Sequence, residues 1–338
     1  MSRSISRRGL LAGLACTACA RSLKNFPFDP EGIPLQGIEV TYFSVGCVRI
    51  RFGERAILTD PFFSHLPFLQ VAFGNTISDP EQYTPYLKEV EGVDAVLVGH
   101  SHYDHTLDLA VVAPHLAPNA KIFGSQTLAH TYATSSLERS IVPVNRQLAS
   151  PESLGEWIDL PEQHMRILPI RSDHPTQYLF IHLFTEKLSH DRSSPPLHAG
   201  DFQEGITIAY LVDFLDPVSR EIQARTYIQT SSTGYPAGYF PASILEEHPV
   251  DMAVLAMDCA NIKSEKKKSI IDFLQPSAVL FCHWEDFFRP KSQEPKEIVR
   301  VDLHKLRTAL PSTSDRRYIF PYWDRSYYVP ISQREEPE

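Results

Sequence analysis

Residues 93–105 read Val-Asp-Ala-Val-Leu-Val-Gly-His-Ser-His-Tyr-Asp-His, a short β-branched apolar run followed by four metal-ligand residue types, His100, His102, Asp104 and His105. The first half has the composition of a buried strand. The second half is costly to bury unless its groups are paired, and neutral imidazole with carboxylate is a common donor set for zinc and other transition metals. The stretch therefore reads as a strand that delivers a metal-binding loop.

Four neighbouring residues cannot by themselves surround an ion, so further ligands must arrive from other strand ends. Upstream, 38–43 and 47–52 read as strands, and Gly53-Glu54 turns the chain into 55–59, which stops at Asp60-Pro61; these are antiparallel hairpins. Downstream, extended runs are predicted at 121–123, 141–144, 157–160, 165–170, 205–213, 225–230 and 250–257, with helical spacing over 107–116, 126–134 and 263–274. A last apolar strand, 278–282, runs straight into His283. Three more residues thus sit where strands end: Asp60, His174 (after 165–170) and His283. Early hairpins followed by mixed strand and helix predict an α/β fold, a four-layer αββα sandwich, as one domain over 38–330. Residues 21–37 read as a connector, and 186–204, polar and proline-broken, as an insertion.

Composition narrows the functional classes. The chain has 338 residues, enough for a large core, and a net charge of −9, so it lacks the basic footprint of a nucleic-acid binder. Lys266-Lys267-Lys268 reads as a solvated helix face. Residues 1–20 read as a targeting segment: Ser6-Arg7-Arg8-Gly9-Leu10-Leu11 matches a twin-arginine export signal, and Ala18-Cys19-Ala20 supplies a small-residue cleavage site. The apolar stretch 9–20 falls short of the about 20 residues that span a bilayer as a helix. The expectation is an exported, periplasmic protein without a membrane span after processing. Cys16 or Cys19 is a lipid-anchor candidate, although neither has leucine three residues upstream. Cys47, Cys259 and Cys282 remain, too dispersed for a disulfide framework.

The His-x-His-x-Asp-His motif with its downstream histidines resembles the metallo-β-lactamase superfamily of metal-dependent hydrolases. Within it, 58–64 (Leu-Thr-Asp-Pro-Phe-Phe-Ser) and 100–105 look most like the branch of N-acyl-phosphatidylethanolamine phospholipase D and ascorbate-6-phosphate lactonase. The similarity runs over about residues 38–290. The resemblance implies two adjacent metals. His100, His102 and His174 would hold the first; Asp104, His105 and His283 would hold the second, with Asp104 and His283 at the reacting centre. Asp60 would hydrogen-bond a ligand histidine from behind and fix its tautomer.

One part of the family pattern is missing. The aspartate that bridges the two metals in the family falls in 227–234, where this chain has Ser232. A neutral hydroxyl is a poor ligand beside a carboxylate, so the expectation is one strong Zn²⁺ site and a second, weaker one, with Mn²⁺ or Fe²⁺ as other occupants. Asp258, after the strand 250–257, is a stand-in for the missing acid, and His198 in the insertion a candidate substrate contact. His65, His115, His130, His164, His182, His190, His248 and His304 are expected to be solvated or satisfied locally.

The functional expectation is a metal-dependent hydrolase in which a metal-bound hydroxide attacks phosphorus or a carbonyl carbon. A phosphodiester comes first, phospholipid-like given the apolar loop 62–86; a lactone or other cyclic ester comes second, and a β-lactam third. The competing class is a degenerate metal- or ligand-binding module without catalysis.

Overall fold

Ile57 and Leu58 are neighbours in the chain yet lie in different hydrophobic clusters, and that division organises the fold. The computed structural model describes residues 21–331 apart from 136, 138–140, 176–182, 232–233, 258–268, 300 and 311–315. Among these the strands are β1 (Gly37–Ser44), β2 (Cys47–Phe52), β3 (Arg55–Thr59), β4 (Ala95–Leu97), β5 (Lys121–Gly124), β6 (Ile141–Pro143), β7 (Ile158–Leu160), β8 (Met165–Arg171), β9 (Ile208–Leu215), β10 (Ile222–Gln229), β11 (Met252–Ala256), β12 (Ala278–Cys282), β13 (Arg317–Ile319) and β14 (Arg325–Pro330). They form two seven-stranded sheets, ordered β14-β1-β2-β3-β4-β5-β6 and β13-β12-β11-β10-β9-β8-β7.

Successive strand residues face opposite sides of a sheet. One set from the first sheet, including Ile38, Val40, Tyr42, Ile50, Ile57 and Leu97, packs with Ile167, Val212, Val254 and Leu280 of the second. The alternate set, Phe43, Ala56, Leu58, Val96 and Val98, packs with Leu107, Leu109, Val112 and Leu128 of the helical segments that follow β4 and β5. The helices Ile244–Glu247, Ile270–Leu274 and Leu303–Ala309 add Ile244, Ile271, Leu274, Leu303 and Leu306 to the cluster built on the second sheet. The result is the αββα sandwich of the metallo-β-lactamase fold. Each fully buried aliphatic side chain contributes about 1.5–3 kcal/mol, so the two faces of the first sheet are what hold the layers together.

The pairing directions place the functional loops. β1, β2 and β3 are antiparallel, whereas β3, β4, β5 and β6 run parallel. In the second sheet β10, β11, β12 and β13 run parallel, and β8 shares their direction because β9 is antiparallel to both β8 and β10. In sheets with parallel strands, binding loops collect at the carboxyl ends of the strands.

Some elements differ from the sequence reading. The helix expected over 107–116 is two pieces, Leu109–Val112 and a 3₁₀ turn Ala113–His115 with Pro114 near its start. It begins only at Leu109 because the Asp108 amide bonds outside the helix, donating to the Pro61 carbonyl (3.2 Å), while its carboxylate accepts from the amides of Phe63 (2.6 Å) and Ser64 (2.8 Å). The strand at 278–282 is not the last: β13 extends the second sheet and β14 pairs antiparallel with β1. The 21–37 connector lies against the core, with Leu23 and Phe26 buried. Residues 1–20, including Cys16 and Cys19, lie outside the described residues, as do Cys259 and the lysines 266–268. Among the described residues no helix is long and apolar enough to cross a membrane.

Across β9 and β10 of the second sheet lies a fully buried ion pair. Arg225 donates to both Asp213 oxygens through Nε (2.6 Å) and Nη2 (2.8 Å), and Arg166 Nε donates to Asp213 Oδ2 at 2.8 Å.

Candidate metal centre

β3 ends at Thr59, and the next residue, Asp60, takes a left-handed backbone (φ 38°) with its side chain wholly buried. Its two oxygens are divided between two donors: Oδ1 accepts the Gly99 amide at 2.7 Å, and Oδ2 accepts from His105 Nδ1 at 2.7 Å. That division requires close backbone approach. A Cβ on Gly46 would lie 2.5 Å from Asp60 Oδ2, and one on Gly99 would lie 2.5 Å from Thr230 Oγ1.

After Gly99 the chain enters the histidine loop and then a single helical turn, Tyr103–Thr106, capped by His102. The turn presents Asp104 and His105 side by side, and the Thr106 hydroxyl donates to the His102 carbonyl at 3.0 Å. His174 arrives just beyond β8 and His283 directly after β12, the latter with φ 58° and its amide donating to the Val45 carbonyl at 2.9 Å.

The six expected ligands come together as two groups. The donor atoms of His100, His102 and His174 lie within 4.8 Å of one another, and so do those of Asp104, His105 and His283. Asp104 Oδ2 is 3.6 Å from both His105 Nε2 and His283 Nε2. Tetrahedral zinc, with bonds near 2.0–2.1 Å, spaces its nitrogen and oxygen donors by about 3.3 Å, so these two separations need to shorten only slightly around an ion. The rings of His100 and His105, 3.9 Å apart, join the groups.

The hydrogen bonding leaves the donor atoms bare. His105 Nδ1 is committed to Asp60 and His174 Nδ1 donates to the Pro175 carbonyl at 2.7 Å, which leaves Nε2 of each as the lone-pair atom. His102 Nε2 faces the Phe184 carbonyl at 3.4 Å, and the Leu183 backbone also hydrogen-bonds this ring. Among the described residues, His105 Nε2 and both ring nitrogens of His100 are buried without a hydrogen-bond partner. An unmatched buried polar atom costs about 1–3 kcal/mol, and three in one cluster fit a bound cation.

Electrostatics agrees with a cation. Burial, helped by the neighbouring histidines, holds His100 and His174 far below the usual imidazole range, and burial brings His102 down to about 4 although Asp104 opposes it. These rings are neutral donors at ordinary pH. Burial also lowers His105, but the carboxylates of Asp60 and Asp104 outweigh it and raise this ring. Burial would raise Asp104, yet His105, His283 and His102 hold it well below the usual carboxylate range.

The opening of the site lies over the second group: the side chains of His283 and Asp104 keep 20% and 12% of their surface exposed, whereas His105 keeps none. Beside it stands a run of aromatic rings. Phe287 meets His283 edge-on (5.7 Å), and Phe288 links Phe287 (4.8 Å) to Phe68 (5.2 Å). Phe68 begins the helix Phe68–Phe73, whose Leu69 and Phe73 are exposed.

The remaining sequence candidates fall as follows. Ser232 and Asp258 lie outside the described residues. The exposed ring of His198 pairs with the Gly74 carbonyl (3.0 Å) and caps the 3₁₀ turn Ala199–Asp201. His65 is fully buried rather than solvated, stacked on Phe62 and donating through Nδ1 to the Arg289 carbonyl at 2.8 Å. Sequence reasoning missed the role of the insertion's flanks: Phe184 faces His102, and the Glu204 carbonyl accepts the Ser101 amide at 3.1 Å. These contacts use backbone carbonyls, which no side-chain pattern announces. Glu285, buried two residues after His283, was also missed.

Residues 55–205 match the family model described as beta-lactamase superfamily domain. Over 151 residues the chain is 23% identical to a cytidine monophosphate-N-acetylneuraminic acid hydroxylase of Asterias rubens, a stretch covering 44% of this chain and 21% of that protein. The match thus spans about a fifth of the length of that curated relative. Among solved structures, the chain is similar to a possible metal-dependent hydrolase from Veillonella parvula (12% identity, TM-score 0.51, covering 87% of this chain and 100% of that one). It is also similar to Igni18, a metallo hydrolase from Ignicoccus hospitalis (15% identity, TM-score 0.48, covering 87% and 99%). At its identity the Veillonella parvula structure speaks to fold alone. The chain therefore has the metallo-β-lactamase fold, and its residues 55–205 match a beta-lactamase superfamily domain.

Proposed function

We propose that this chain is a metal-dependent hydrolase acting on a phosphodiester with an apolar substituent. The observation that carries the reading is the pairing of two donor groups around the unpartnered nitrogens of His100 and His105. His100, His102 and His174 would hold one Zn²⁺, and Asp104, His105 and His283 a second, weaker ion, for which Mn²⁺ or Fe²⁺ is an alternative. When bound, such ions polarise the scissile group and lower the pKa of water. The chain's own residues do the rest. Burial keeps the first three rings neutral and ready to donate, Asp60 fixes the His105 tautomer, and the ionised Asp104 at the opening supplies negative charge. Phe287, Phe288 and Phe68 offer an apolar wall to a lipid-like substituent. Residues 1–20 support export to the periplasm, which cell fractionation of the full chain tests.

The test is turnover of bis-p-nitrophenyl phosphate and of a lactone panel with added Zn²⁺ or Mn²⁺. His102→Ala is expected to abolish turnover while the fold survives. Phe287→Ala is expected to raise KM for long-chain phosphodiesters more than for short ones. Turnover of lactones alone would shift the class to cyclic-ester hydrolysis. A fully metal-loaded chain inert toward every ester would overturn the proposal in favour of a binding module.

A further inference from the structure

The β1–β2 turn, residues 44–47, touches both elements that serve the second donor group. On one side Gly46 lies against Asp60, and the Thr59 hydroxyl donates to the Gly46 carbonyl. On the other, the Val45 carbonyl accepts the His283 amide at 2.9 Å. Val45 (φ 48°), Asp60 (φ 38°) and His283 (φ 58°) all adopt the left-handed backbone, which costs a non-glycine residue about 1–2 kcal/mol each. Three strained residues meeting at one turn persist only if something fixes the turn.

Glu285 occupies that place. Its carboxylate is fully buried and accepts three donors: the Val45 amide (2.6 Å), the Tyr42 hydroxyl (2.6 Å) and Trp323 Nε1 (3.1 Å). A carboxylate with three donors replaces much of the hydration it lost on burial, so the anchor is stiff rather than merely tolerated. The His100, His102 and His174 group is braced from elsewhere, by Phe184, Glu204 and Pro175.

We propose that Glu285 is a positioning residue chiefly for the Asp104–His105–His283 site, its link to the other group running only through the Asp60–Gly99 bond. It clamps the 44–47 turn, which sets His283 through its backbone and His105 through Asp60. This rests on the reading that both donor groups hold metal.

The experiment titrates metal-free wild type and Glu285→Gln with Co²⁺, following the visible absorption of each site, together with the thermal melt of both metal-free proteins. The wild type is expected to fill in two steps. Glu285→Gln is expected to leave the first step in place and weaken the second by about tenfold or more, the range seen when a ligand's supporting hydrogen bond is lost. Trp323→Phe, which removes only the longest of the three bonds, is expected to give the same split at smaller size and serves if Glu285→Gln does not fold. An unchanged second step, or two steps weakened equally alongside a lower melting point, overturns the inference while leaving the metal reading intact. A wild type that takes up no Co²⁺ overturns both.

Discussion

Asp60 Oδ2 sits 2.7 Å from His105 Nδ1, and both side chains are withdrawn from solvent. The contact decides which nitrogen of His105 faces its partners. Asp60→Asn would set an amide NH₂ against either the Gly99 N–H or the His105 N–H, since both present sites already face donors. Metal affinity at the Asp104–His105–His283 group is expected to fall about 10–100-fold, with the melting point of the metal-free chain much less affected. Metal-binding titration and calorimetry measure the two.

Gly99→Ala places a methyl group 2.5 Å from Thr230 Oγ1, so either the histidine loop or the end of β10 must shift. Overpacking of this kind costs about 1–3 kcal/mol. The expected outcome is a lower denaturation midpoint together with reduced metal loading, because the same glycine donates its amide to Asp60.

Acid sensitivity follows from His65. Burial, aided by Lys291, lowers its pKa from 6.5 to about 3. The unfolded chain therefore binds the extra proton between those values, and stability falls as pH falls through that window, by about 2–3 kcal/mol from this ring at pH 4.5. Stability is complete above pH ~6.5. In metal-free protein, His65→Phe is expected to be less stable than wild type at pH 8, having lost the bond to the Arg289 carbonyl, and to close that gap towards pH 5. Thermal melts across pH 5–8 check it; parallel curves would contradict it.

The buried Arg225–Asp213 pair gives a change expected to act on stability alone. Asp213→Ala leaves the fully buried Arg225 with the Ile244 and His248 carbonyls and the half-exposed Glu247 at 3.5 Å, and removing one partner of such a buried pair costs about 3–5 kcal/mol. Denaturant titration is expected to show that loss, with the affinity of fully folded protein for metal unchanged.

What the sequence could reveal depended on range. β2, β3 and β12 have the bounds their residue patterns imply, because alternation and a tight turn are local signals. β13 and β14 escaped notice: one has three residues, and the other, Arg-Ser-Tyr-Tyr-Val-Pro, is partly exposed and lacks a clean apolar face. The six donor residues were legible because each stands at or just past a strand end, where a histidine or aspartate is conspicuous. Their bracing was legible only in Asp60, which was expected behind a ligand histidine and meets His105. Glu285 reaches Tyr42 across 243 positions, His65 reaches Arg289 across 224, and Phe184 acts through a carbonyl.

The pairing of β14 with β1 has a consequence for biogenesis. β1 is among the first strands to leave the ribosome, and its neighbour on that edge, residues 325–330, is among the last of the described residues. Until then the edge of the first sheet is an open row of unpaired amides and carbonyls, the kind of template on which other chains add. A chain stalled or cleaved before residue 325 would keep every donor residue of the metal centre yet present that edge permanently. Such fragments are expected to appear as aggregates rather than as inactive monomers.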